Sequence, residues 1–93
     1  MTWTVIWMPP AEQRLAAVWL AAPVRNDVTE AANEIDIVLE MFPNAVGECL
    51  FDDVREYTQP PLTVEYEVDD VNHCVYVLNV WDTADGRPNV MGN

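Results

Sequence analysis

The hydrophobic period of this 93-residue chain changes once, near Pro43, and that change constrains the fold more than any other feature. Before it, apolar residues recur at helical spacing. Ala11, Leu15, Val18 and Ala22 fall at i, i+4, i+7 and i+11, which makes one stripe along a helix over 11–22. Trp19 and Leu20 widen the stripe, and Pro23 ends it. Asp27, with Glu30 three residues on, reads as the cap of a second helix. Val28, Ala31, Ala32, Ile35, Val38, Leu39 and Phe42 form its buried side, and Glu30, Glu34, Asp36 and Glu40 its wet side. After Pro43 the period falls to two. In 62–68, LTVEYEV, the residues Leu62, Val64, Tyr66 and Val68 point inward, while Thr63, Glu65 and Glu67 point outward.

Three further strands complete the pattern. Residues 2–8 place Trp3, Val5 and Trp7 on one face, with Pro9 and Pro10 stopping the strand where a helix tolerates proline. Residues 50–58 read as one ragged strand carrying Phe51, Val54 and Tyr57, broken by Pro60 and Pro61. Residues 74–81, CVYVLNVW, are almost continuously apolar, as an interior strand is. The order is β-α-α-β-β-β. Two amphipathic helices need a surface, and a sheet with one apolar face supplies it. The expected class is α+β, a two-layer fold with a helical hairpin on one face of a mostly antiparallel sheet. One domain spans 1–81, and the polar stretch 82–93 is expected to be a flexible tail.

Composition limits the chemistry. Four arginines and no lysine stand against sixteen carboxylates, for a net charge of -12. Such a chain repels a phosphate backbone, so nucleic acid and anionic membrane are poor partners, and a basic protein or peptide is a better one. No leader or membrane span is visible, and the expected location is the cytoplasm. Cys49 and Cys74 read as buried free thiols. Glu48, Asp52, Asp53 and Glu56 lack any ordered ligand spacing, so a solvated acidic edge is expected there and no metal or other cofactor. The four tryptophans, Trp3, Trp7, Trp19 and Trp81, read as core.

The stretches TVIWMPPAEQRLAAVW and VTEAANEIDIVLEMFPNAVGE, then Arg55, PPLTVEYEV and VYVLNVW, occur in an order that resembles the RelE/ParE superfamily. These proteins are the toxin halves of bacterial type II toxin–antitoxin modules, associated with plasmid stabilisation. The resemblance covers residues 3 to 81. It implies a compact toxin fold, a cognate antitoxin as partner, and the ribosome or gyrase as target. In the RNA-cleaving branch, basic residues sit on the middle strands and just after the last strand.

Here Arg55 takes the middle-strand position, but Asp52, Asp53 and Glu56 surround it. Trp81, Asp82 and Thr83 replace the expected basic run, and Arg87 is displaced into the tail. Stabilising a phosphorane needs preorganised cations, and proton transfer needs a tuned acid and base. The candidate catalytic residues are therefore Arg55, Tyr57, His73, Trp81 and Arg87; the alternative for His73 is an exposed or capping turn histidine. The expectation is a toxin-like protein acting mainly through protein binding, with nuclease activity weak or lost. The alternatives are a ribosome-dependent mRNA endonuclease with a rewired site, and a non-toxic interaction module that keeps the fold.

Overall fold

Why the chain alternates helix and strand as it does is visible in a computed structural model, which describes residues 2–87. The order is β1 (Thr4–Trp7), α1 (Pro9–Ala21), α2 (Arg25–Met41), β2 (Glu48–Phe51), β3 (Val54–Gln59), β4 (Leu62–Asp69) and β5 (Cys74–Asp82). The strands form a single sheet in the order β1-β5-β4-β3-β2. β1 runs parallel to β5, and the other three pairings are antiparallel. Parallel neighbours cannot be joined by a tight turn. The first and last strands of the chain meet this condition because both helices and three strands lie between them.

Pro9 and Pro10 occupy the first helical positions of α1, where their missing N–H groups have no helical partner to lose. The helices then cover one face of the sheet. Val28, Ala31, Ile35 and Leu39 of α2 pack with Leu62, Val64, Tyr66 and Val68 of β4 and Val75, Val77 and Val80 of β5. Burying a large aliphatic side chain contributes about 1.5–3 kcal/mol, so this cluster is the main source of stability. The alternation in β4 delivers it directly. In β5 the inward side changes: Tyr66 lies opposite Val77, whereas Glu65 lies opposite Asn79, so Leu78 is one residue too many. This bulge turns Val80 inward and leaves Asn79 and Trp81 on the face away from the helices, called here the outer face.

Several sequence expectations change. β1 is shorter than 2–8, and the single ragged strand over 50–58 is two strands. Asp52 takes a left-handed conformation, φ 48°, which an aspartate tolerates, and it turns β2 into β3 without a glycine to mark it. Asp27 does not cap α2, which starts at Arg25 after Val24 with no side-chain cap. Asn26 instead engages the Glu30 carboxylate at 2.7 Å, and Asp27 lies in the first turn, beside the positive end of the helix. Trp19, Leu20 and Phe42 are exposed rather than buried: Trp19 lines an open groove beside β1, Leu20 is next to last in α1, and Phe42 lies just past the end of α2. Cys49 is exposed too, since it sits on the edge strand β2, none of whose residues is buried. Both cysteines are free, and two strands separate them.

The expected tail begins at Asp82, which is still part of β5. Beyond it, the Thr83 N–H donates to the Pro61 carbonyl at 2.8 Å. The remainder of that stretch, 88–93, lies outside the described residues. No helix among the described residues is long and apolar enough to cross a membrane.

The loop from α2 to β2 contains one position with no freedom. Gly47 has φ 72°, and a Cβ there would lie 2.5 Å from the Glu56 carbonyl oxygen and 3.0 Å from the Tyr66 hydroxyl. Gly47→Ala should combine left-handed strain with a backbone clash and cost about 2–4 kcal/mol. Thermal unfolding should show a midpoint lowered by roughly 10 °C or more. An unchanged midpoint would mean that the loop is free to move away.

Candidate functional site

Directly opposed residues of neighbouring strands share a face, and this rule divides the candidate residues. Arg55 lies opposite Tyr66, and Tyr57 opposite Val64. Both therefore belong to the helix side. Glu56 lies opposite Glu65, Glu65 opposite Asn79, and Thr63 opposite Trp81. These belong to the outer face.

On the helix side, Arg55 is held by backbone. Its Nε donates to the Val46 carbonyl at 3.0 Å and its Nη2 to the Gly47 carbonyl at 3.3 Å. Tyr66 is fully buried, and its hydroxyl stands 2.9 Å from the carbonyl oxygens of both Pro43 and Val46. Burial pushes the Tyr66 phenol above its ordinary pKa, although the Arg55 guanidinium partly opposes this. Tyr57 packs against the core and donates its hydroxyl to Gln59 Oε1 at 3.1 Å.

On the outer face, Trp81 and Arg87 come together. The Arg87 guanidinium lies over the Trp81 ring, 4.9 Å from its centroid. Its Nη1 donates to Glu65 Oε2 at 2.6 Å and its Nη2 to Glu56 Oε1 at 3.1 Å. The hydrogen bond to Glu65, then the charges of both carboxylates, raise the Arg87 pKa further, so it is a permanent cation with its charge already answered. Beside it a file of hydroxyls crosses the face: Thr58 to Thr63 at 3.0 Å, and Thr63 to Thr83 at 2.7 Å. Thr63 and Trp81 are buried although they face away from the helices, only 2% and 5% exposed. Trp81 is thus buried, as expected of core, but on the other side of the sheet.

His73 is apart from both groups. It precedes β5, whereas Trp81 is near the end of that strand, about 23 Å away at the usual rise. Its φ is 57°, and its ring stacks on Trp3 at 3.9 Å. The Nε2 atom is buried and finds no partner among the described residues. The remaining arginines are dispersed as well. Arg14 is on α1 beside Pro10 and Leu78, and Arg25 lies over the exposed Trp19 ring at 4.8 Å. The five candidates thus form one pair on the outer face, one pair under the sheet and one isolated residue. Glu56 and Glu65 complete the outer-face pair. Sequence reading missed their part in it because it depends on strand pairing and on the β5 bulge.

An open, largely apolar groove lies elsewhere. It holds about 830 Å³ between α1, α2 and the open edge of β1, with Leu15, Trp19, Val28 and Ala32 in its wall. Trp7 Nε1 donates to Asp36 Oδ1 across it at 2.6 Å. Ile6, on the free edge of β1, is 38% exposed. Among the described residues, no three His, Cys, Asp or Glu side chains are grouped so that they could hold a metal ion.

The Arg55–Tyr66 arrangement yields two expectations. Arg55→Ala should cost about 2 kcal/mol by removing charge-assisted bonds to two carbonyls, measured by urea unfolding. Tyr66→Phe should cost about 1 kcal/mol at neutral pH. The raised Tyr66 pKa adds stability that is complete below about pH 10 and is lost as pH rises through the folded-state value. Above pH 10 the unmodified chain should therefore lose stability more steeply than Tyr66→Phe; parallel curves would contradict this.

No family model matches the chain, and no curated protein matches it. Solved structures do. The RelBE2 toxin–antitoxin complex of Mycobacterium tuberculosis superposes with a TM-score of 0.73 at 20% identity, over 88% of this chain and 99% of that one. A free mutant of the E. coli toxin RelE gives 0.68 at 16% identity, over 92% and 88%. The chromosomal ParDE toxin–antitoxin system of P. aeruginosa gives 0.65 at 13% identity, over 86% and 95%. With two helices packed on a five-stranded mixed sheet, this chain has the fold of the RelE and ParE toxins.

Proposed function

We propose that the chain is the toxin-fold component of a bacterial type II toxin–antitoxin module that works mainly by binding proteins, with RNA cleavage weak or lost. One observation carries the reading: the guanidinium on the outer face, that of Arg87, is bound by Glu56 and Glu65. A cation answered by two carboxylates gives little help to a developing phosphorane. Arg55, the other candidate cation, is turned to the opposite side and held by carbonyls. A net charge of -12 works further against a polyanion.

Protein binding has positive support. An apolar groove beside an open strand edge is the geometry used by a partner that adds a helix or a strand. Two of the similar structures are described as a toxin–antitoxin complex and a toxin–antitoxin system, which favours a cognate antitoxin as that partner. The ribosome and gyrase stand as targets by resemblance alone, and a cytoplasmic location accompanies them. A second reading, an endoribonuclease with a rewired site, would centre on Trp81 and Arg87, the only two of the five candidates that meet on the outer face.

Purified chain incubated with ribosomes and a defined mRNA separates the readings. We expect no codon-positioned cleavage above background. Cleavage that disappears in Arg87→Ala would favour the nuclease. A small reading frame beside the gene, co-expressed with it, should give a stable complex; a gene without such a neighbour, or no complex, would count against the antitoxin partner.

A further inference from the structure

Three carboxylates stand in a row across the outer face. Glu48 lies opposite Glu56, and Glu56 opposite Glu65. Like charges directly opposed destabilise a sheet, so this row calls for a cation. Arg87 supplies it, with one nitrogen on each of two carboxylates and the ring of Trp81 beneath. Two carboxylate acceptors side by side and an aromatic floor match the forked donors of a planar guanidinium better than a lysine ammonium. Glu65 is the more enclosed acid, its side chain 17% exposed, against 34% for Glu56.

The occupant is held less firmly than the seat is built. Trp81, Glu56 and Glu65 belong to three paired strands. Arg87 hangs on a short arm past β5, which reverses through Gly86 at φ 77°. The Arg87 side chain is 46% exposed. Exposed ion pairs are weak and exchange readily.

We propose that Glu56, Glu65 and Trp81 form a receptor for an arginine of a basic partner segment, and that Arg87 fills this seat as an internal stand-in until the partner displaces it. The inference rests on the protein-binding reading above and gives that partner its chemistry: a polypeptide with an exposed arginine and net positive charge. Attraction to a chain carrying -12 steers such a segment in and rejects acidic ones. The arm competes from the same molecule, so it lowers the apparent affinity without blocking the site.

A titration of the full chain tests this. The probe is a blocked peptide with two arginines between glycines, followed through the Trp81 indole N–H signal by NMR. Arg87→Ala should bind it roughly five-fold more tightly than the unmodified chain, because two weak ion pairs and a cation–π contact no longer compete. The lysine version of the peptide should bind more weakly. Adding Glu65→Gln to Arg87→Ala should abolish the shift while the rest of the spectrum keeps its dispersion. Equal affinities for the two chains, no movement of Trp81, or a lysine peptide as good as the arginine one would overturn the proposal. A chain that fails here but still co-purifies with an antitoxin loses the arginine seat and keeps the proposed function.

Discussion

The hydroxyl of Tyr66 ties the two layers of the molecule together. Tyr66 lies on β4, the middle strand of the sheet, with no exposed surface. Its oxygen meets the carbonyls of Pro43 and Val46, in the loop by which α2 returns to the sheet. A buried carbonyl without a donor is costly, so this contact fixes where the second helix ends relative to the strands. Arg55 serves the same loop from β3, sharing the Val46 carbonyl and adding Gly47. Gly47 is then confined by the Glu56 backbone and by the Tyr66 hydroxyl itself. A middle-strand arginine, which by resemblance would be a cation for RNA, is here part of a loop anchor on the helix side.

That placement shapes what the opposite face can do. With Arg55 turned away, the outer face presents Glu48, Glu56 and Glu65 in a row, answered by Arg87 alone among the described residues. The β5 bulge sets Trp81 into the same face. An aromatic floor, two acids and a displaceable arginine are suited to recognising a cation and badly suited to holding a phosphate. Arg14 and Arg25 do not alter the balance, since they lie on and beside the helices with other neighbours. The function proposed for the chain and the partner chemistry inferred for it follow from one distribution of charge.

Much of the fold was legible because its signals are local. The helical stripe of α2 and the strict alternation of β4 marked much of the core, and the α+β class with it, although the outer members of the α2 stripe, Phe42 above all, are not buried. What was not legible depended on neighbours in space. The β2–β3 turn has no glycine and rests on the tolerance of Asp52 for a positive φ, so two strands read as one. The run CVYVLNVW hid its bulge, since continuous apolar content carries no record of which side each residue takes. Trp81 was rightly expected to be buried, but its face depends on one extra residue opposite the pair Glu65 and Tyr66. The candidate site suffered most. Arg55, Tyr57, His73, Trp81 and Arg87 were chosen by residue type, whereas strand pairing sends Arg55 and Tyr57 below the sheet and leaves His73 beyond the far end of β5. Glu56 falls in what reads as a solvated acidic edge and Glu65 among the outward-facing positions of its strand, and both become partners of Arg87.

The account depends on positive groups that are few, separated and already partnered. The salt dependence of binding to a single-stranded RNA oligomer measures this directly, because each phosphate neutralised by a basic side chain adds to the slope of affinity against salt. The predicted result is no detectable binding at physiological salt, with a slope near zero where weak binding appears at low salt. Micromolar or tighter binding at physiological salt, with a slope equivalent to several phosphates, would contradict it.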